Sequence, residues 1–138
     1  MKLEALLVAN TAGTDHGLLT IRGGGWEHVR PAMLPTTIRG SLAGLLALSR
    51  EELGTSPFVS FSVTDDDGMV DPSSGSMIVN AVRAAPPDGV DPRIAFDWPF
   101  AIAVRGPTLV RISMSTEAGE LGSATFAVLD PVPDTPAG

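Results

Sequence analysis

The sequence predicts an all-β fold in which two antiparallel sheets pack face to face as a sandwich of seven to nine strands. Three observations carry this prediction. The 15 glycines and 12 prolines are spread along the chain and separate short apolar segments. Within those segments apolar and polar residues alternate with the period of two that is typical of a strand. Hydrophobic residues make up 43% of the 138 residues, which is enough to fill one core without disulfides.

The first 54 residues are predicted to contain two short strands, one long strand and one helical turn. Residues 3–9 form the first strand and end at the turn-forming run 10–13, and residues 18–22 form the second. Residues 38–48 are apolar but contain two glycines, each of which weakens a helix by about 1 kcal/mol, so we expect a strand there. Residues 49–54 combine an N-cap serine, acidic first-turn residues and a final glycine, which predicts a short helical turn.

The middle of the chain holds the clearest strand. Residues 58–64 alternate strictly, so we expect Val59, Phe61 and Val63 to face the core. Residues 77–84 are predicted to form the next strand. Further on, Pro99 is expected to interrupt the alternating segment 94–104, since proline cannot donate to a strand ladder.

A final hairpin is predicted over residues 108–115 and 121–129. Residues 1–129 then form a single domain, and residues 130–138, with three prolines and no apolar period, form a flexible tail. This number of short strands is typical of immunoglobulin/fibronectin-like or C2-like sandwiches.

Charge and composition exclude several classes of partner. The formal net charge is −7, and the single lysine and eight arginines are scattered along the chain. Nucleic acids and anionic membranes require clustered basic residues, so neither is expected. The absence of cysteine excludes disulfides, thiolate chemistry and cysteine-bound zinc, and is compatible with a cytoplasmic location. Glu4 interrupts the only apolar stretch near the start, which disfavours a signal peptide.

Several short motifs follow one another along the chain. They are Ala9-Asn10, Gly17-Leu18-Leu19, Gly23-Gly24-Gly25-Trp26, Glu52-Leu53-Gly54, Asp65-Asp66-Asp67-Gly68 and Gly106-Pro107. Their order and spacing resemble those of an uncharacterised family of small bacterial β-sandwich proteins, a domain of unknown function with a Gly-Gly-Trp corner, an acidic Asp-x-Asp-Gly turn and a similar entry to the closing hairpin. Leu18 departs from the family, where lysine is common, and Leu109 departs where an aromatic residue is usual. The resemblance implies a compact β-sandwich in a bacterial cytosol, and it supplies neither an activity nor a catalytic residue for this chain.

The strongest chemical feature is an acidic cluster, for which calcium binding is the alternative to a plain turn. Its candidate metal ligands are Asp65, Asp66, Asp67 and Asp71. Loops at the rim of β-sandwiches gather carboxylates for calcium, which takes six to eight oxygen ligands. The spacing is not that of an EF-hand, however, so a strand-connecting turn is the preferred interpretation and no cofactor is expected.

Catalytic chemistry has weaker support. His16 and His28 each neighbour a carboxylate, but two histidines are too few for a zinc site without further ligands, and no nucleophile motif is present. The three consecutive glycines lack the spacing of a phosphate-binding loop and are better explained as a corner that lets Trp26 fold back onto a sheet edge. We therefore do not expect an enzyme.

An interaction surface is the remaining possibility. The candidate residues are Trp26, expected to be the more exposed of the two tryptophans while Trp98 packs inside, and Phe100 and Ile102 in a weakly charged segment. At a sheet edge or outer face that segment would favour self-association, whereas an interior strand would simply bury it. The sequence thus favours a non-enzymatic interaction or accessory module whose partner is another protein or a second copy of the chain, with a calcium- or small-ligand-binding sandwich as the alternative.

Overall fold

A computed structural model describes residues 1–132 and confirms the all-β sandwich. In those residues nine strands and one 3-10 helix follow each other along the chain. The strands are β1 (Lys2–Asp15), β2 (Leu18–Gly24), β3 (His28–Val29), β4 (Thr36–Ala47), β5 (Phe58–Asp65), β6 (Ser73–Ile78), β7 (Arg93–Val104), β8 (Thr108–Thr116) and β9 (Gly119–Val128), and the 3-10 helix spans Arg50–Glu52. No helix in this part of the chain is long and apolar enough to cross a membrane.

The strands form one sheet of four and one sheet of five. The four-stranded sheet has the order β2-β1-β4-β7 and the five-stranded sheet the order β3-β9-β8-β5-β6. All pairs are antiparallel except β3 with β9, which pair in parallel over two residues. Both sheets contribute to one apolar core, so the alternation seen in the sequence reflects burial between two layers.

Strand β4 lies at the centre of the four-stranded sheet, and glycines on its inner face make room for aromatic rings. A methyl group added at Gly44 would lie 2.2 Å from the carbonyl oxygen of Ala5 and 2.9 Å from the ring of Phe96. The same addition at Gly40 would lie 2.7 Å from the ring of Trp26. This close approach explains why the apolar run 38–48 contains glycine. The strand predicted for this run is confirmed as β4.

Aromatic residues fill the space between the sheets. Phe61 of β5 stacks on Trp98 of β7, with ring centroids 4.6 Å apart and planes only 6° from parallel. At the other end of the core, Phe100 and Phe126 lie 6.3 Å apart and Trp26 packs edge-on against both rings. The predicted inward residues of β5, Val59, Phe61 and Val63, are all buried.

The first hairpin differs from its prediction. The turn expected at residues 10–13 is part of β1, which continues to Asp15 because β2 becomes its partner after pairing with β4 ends at Ala9. The turn lies at His16 and Gly17, whose φ angles are 52° and 74°. Positive φ at both central residues is the geometry of a type I′ turn, which matches the twist of a two-residue hairpin.

The strand predicted over residues 77–84 was wrong in its bounds. Strand β6 instead spans Ser73–Ile78, and its serine-rich start was missed because strand propensity is low there and pairing with β5 supplies the structure. Residues beyond β6 continue the same register without a regular strand. The N–H of Val79 donates to Pro57, and that of Ala81 to Thr55.

The predicted interruption at Pro99 was also wrong. Strand β7 is continuous over Arg93–Val104, and Pro99 pairs in register with Ser41 of β4. Because β7 ends the four-stranded sheet, it needs ladder donors on one side only, and an edge strand tolerates proline for that reason. The predicted tail, residues 130–138, lies outside the described residues from position 133 onward.

The helical turn predicted at residues 49–54 is confirmed as the 3-10 helix, and Glu52 holds it in place. The Glu52 carboxylate accepts hydrogen bonds from the backbone N–H of Ser49 at 2.9 Å and from the Met1 ammonium at 2.7 Å. Burial alone would raise the pKa of Glu52, but these hydrogen bonds and the ammonium charge hold it below its ordinary value.

Replacing Gly44 tests the close approach at the centre of the fold. We expect Gly44→Ala to lower the free energy of unfolding by about 1–3 kcal/mol, because the added methyl group collides with the Ala5 carbonyl. Gly13 of β1 has open space around it, so Gly13→Ala is the matched control and should change stability by less than about 1 kcal/mol. Urea unfolding measures both. Equal stability of the two variants would contradict the packing described here.

Candidate functional site

The acidic turn between β5 and β6 is an internally bonded structure. The Oδ2 atom of Asp65 accepts hydrogen bonds from the Met69 N–H and from the Thr108 hydroxyl, each 2.8 Å away. That hydroxyl also lies 3.1 Å from Oδ2 of Asp67. Asp71 forms an ion pair with Arg105, whose guanidinium also donates to the carbonyl of Gly68. The turn is thereby tied to the connection between β7 and β8.

The pKa of Asp65 reflects these bonds. Burial alone would raise it, but hydrogen bonds from Thr108 and from the backbone N–H groups of Met69, Val70 and Asp67 lower it below its ordinary value of 3.8. Asp65 therefore stabilises the folded chain as a charged acceptor.

The calcium alternative gains no support from this geometry. In residues 1–132 no group of three or more His, Asp or Glu side chains is arranged to hold a metal ion. Asp65 and Asp71 are directed at Thr108 and Arg105.

Trp26, predicted to be an exposed interaction residue, is half-buried and packs on the core. Its indole N–H donates to Oδ1 of Asn10 at 2.9 Å and to the carbonyl of Gly23 at 3.1 Å. The glycine corner preceding it is anchored by the N–H of Gly25, which donates to the Val8 carbonyl at 2.8 Å. The predicted glycine corner is therefore present. The half-buried Trp26 side chain bonds across this corner to Asn10 and Gly23.

The two other predicted interaction residues belong to the core. Phe100 is 7% exposed and Ile102 is 1% exposed, because both occupy inward positions of β7. The segment does lie in an edge strand, as one alternative held, but only Ala101 and Ala103 face outward. The side chains of Phe100 and Ile102 are therefore not available as surface contacts, which corrects the prediction of these two as interaction residues.

The two histidines are not brought together. His16 lies in the turn of the first hairpin, where its Nδ1 atom is 2.9 Å from the Asp15 carboxylate. His28 lies on the short strand β3, opposite Ala127 of β9.

An apolar surface that the sequence prediction missed lies at one end of the five-stranded sheet. Phe58 and Ile78 are paired directly across β5 and β6, and their side chains are 61% and 58% exposed. A groove of about 410 Å³ adjoins Phe58 and is lined by Ser56, Pro57, Phe58, Thr116, Glu117 and Ala118. We call Phe58, Ile78 and this groove the apolar end. The alternation that places Val59 inward already placed Phe58 outward, so the signal was present in the sequence.

Comparison with known proteins adds no assignment to this surface. No protein-family model matches the chain, and no curated protein matches it. The function is therefore argued from the surfaces of the fold itself.

The acidic turn makes stability pH-dependent. Because the folded pKa of Asp65 is lowered, its contribution is fully present above the ordinary value of 3.8 and is lost as the pH falls through the folded value. We expect Asp65→Asn to be less stable than the wild type at neutral pH and to lose less stability below pH 3.8. Asp66→Asn is the control, and chemical unfolding at several pH values measures both. Parallel stability curves for wild type and Asp65→Asn would refute this role.

Calcium at about 1 mM, in the range of weak extracellular sites, should leave the melting temperature unchanged. The reason is that Asp65 and Asp71 are already engaged within the fold. Differential scanning fluorimetry with magnesium as the comparison ion measures this. A rise specific to calcium would restore the metal-binding alternative.

Proposed function

We propose that this protein is a non-enzymatic interaction module that binds another protein through the apolar end. The observation that carries the proposal is the exposed cross-strand pair Phe58 and Ile78. Isolated apolar side chains are common on protein surfaces, but large ones placed together beside an apolar groove are typical of interaction sites. Binding a partner over both side chains would remove their apolar surface from water, which contributes favourably to the free energy of binding.

The surroundings of this pair favour a protein partner. The groove supplies the concave surface that an apolar side chain of a partner would fill, and Pro57 and Ala118 line it. Glu117 is exposed at the groove and adds a negative rim, which is unsuitable for nucleic acid. Among residues 1–132 Glu117 has no ion-pair partner, so it is available to a basic residue of the partner.

Site-specific photo-crosslinking tests this function. Benzoylphenylalanine placed at position 78 in cells that naturally produce the protein should give an adduct with a second, different protein. The same probe at position 125 should not, because Thr125 is exposed on the same sheet face but lies away from the apolar end. Introducing Phe58→Lys alongside the probe at position 78 should weaken the adduct, since a buried lysine would cost desolvation.

Two outcomes would overturn the proposal. Adducts that form equally from positions 78 and 125 would indicate nonspecific contact. Adducts consisting only of two copies of this chain would indicate self-association. Mass spectrometry of the adducts and the melting temperature of each variant distinguish these outcomes from a failure to fold.

A further inference from the structure

We infer that the partner binds as an additional β-strand along the free edge of β6, and that its binding segment alternates apolar and polar residues and carries lysine or arginine at the end beside Asp66 and Asp67. This inference rests on the proposed function and deepens it, because β6 contains Ile78 of the apolar end. It is carried by the directions of the β6 amides, the lack of edge protection on this strand and the negative charge of the turn that leads into it.

The hydrogen-bond register shows which amides of β6 are free. The N–H of Val79 donates to Pro57 at 2.9 Å and the N–H of Ala81 donates to Thr55 at 3.2 Å, in the register that pairs Phe58 with Ile78. Antiparallel pairing alternates hydrogen-bonded and non-hydrogen-bonded residues, so the backbone N–H and C=O groups of the odd-numbered residues of β6 point towards β5. The N–H and C=O groups of Ser74, Ser76 and Ile78 therefore point away from β5, along an edge that no other strand of residues 1–132 occupies.

β6 also lacks the features that usually protect an edge. It contains no charged residue, no proline and no bulge, and residues 72–82 carry no charge at all. The other exposed edges are protected. β7 contains Pro99 and two charged residues, and just after it the N–H of Arg105 donates to the Met69 carbonyl. The first half of β1, which has no pairing with β2, has a bulge near Leu3, while β2 carries Arg22 and β3 has only two residues. An open edge beside an exposed apolar pair is the arrangement that β-strand addition uses.

The side chains beside the edge determine which residues the added strand would present. On its inner side it would cover Met77 and Trp98, which are only partly buried although they pack against the core. A methyl group on Gly75 would lie 2.7 Å from the Trp98 ring, so the indole lies directly behind the edge strand. Alternate residues of the added segment would therefore be apolar. On its outer side it would meet Ser74 and Ser76, and then Ile78 at the end.

Charge selects one end of the segment. Asp66 and Asp67 lie exposed in the turn that leads into β6, and among the described residues neither forms an ion pair, whereas Asp71 does. A segment with a basic residue beside this turn is therefore the complementary partner. A second copy of this chain fits less well, because residues 72–82 carry no charge and β6 would present Ser73, Gly75 and Met77 where apolar side chains are needed.

A displayed library of random peptides of about ten residues, selected on the purified protein, tests the inference. We expect the enriched peptides to alternate apolar and polar residues and to carry lysine or arginine near one end. Ser76→Pro removes one free N–H that the fold itself does not use and should weaken their binding about tenfold or more, whereas Ser76→Ala retains that N–H and should bind like the wild type.

Two further measurements do not depend on the folding of Ser76→Pro. N-methylation of alternate amides in the best peptide should abolish binding in one alternation and leave it unchanged in the other, because only one set would face β6. The amides of Ser74, Ser76 and Ile78 should become protected from hydrogen exchange in the complex. Asp66→Asn combined with Asp67→Asn should weaken binding and reduce its dependence on salt.

The possible failures separate the two proposals. Peptides that require Phe58 and Ile78 but tolerate Ser76→Pro and both N-methylation patterns would overturn strand addition and leave the proposed function standing. Enrichment of peptides without a basic residue near either end would overturn the assignment of charge. If no peptide is enriched over the double variant Phe58→Lys and Ile78→Lys, both proposals fail.

Discussion

The fold depends on close approach along the inner face of β4. Where a typical central strand would place side chains, β4 places Gly40 and Gly44, and the rings of Trp26, Phe100 and Phe96 occupy the space. Since those rings come from the glycine corner and from β7, the central strand fixes the position of both neighbouring elements. Interiors are close-packed, so one methyl group at this point displaces a backbone carbonyl and not merely a flexible side chain.

The acidic turn shows how a chemically suggestive cluster can be structural. Its carboxylates connect the turn after β5 to the connection between β7 and β8, through Thr108 and Arg105, and so link the two sheets at one end. Charged acceptors at such positions satisfy backbone N–H groups that a tight turn leaves without partners. The bonding of Asp65 and Asp71 therefore stabilises the folded turn, while Asp66 and Asp67 are exposed to solvent.

Sequence periodicity predicted the parts of the structure that burial determines. It placed the inward residues of β5 correctly and identified the strand nature of β4 in spite of its glycines, because both depend on one-sided contact with a core. It failed where pairing overrides local preference: Ser73–Ile78 is a strand because β5 lies beside it, and Pro99 is tolerated because β7 lies at an edge. The apolar end was missed although alternation placed Phe58 outward, since its significance depends on Ile78, which is distant in sequence and opposite in space.

The first hairpin has a consequence for the dynamics of the molecule. Residues 10–24 contain no buried side chain, and this ribbon is held mainly by its own ladder. Two-stranded ribbons are marginally stable alone, so this one should open at a lower free energy than the sandwich. The Trp26 indole, bonded to Asn10 and Gly23, clamps its base. We expect fraying that begins at His16 to stop where the Trp26 indole bonds to Asn10 and Gly23. The hairpin would then open as one cooperative unit while the sandwich stays folded.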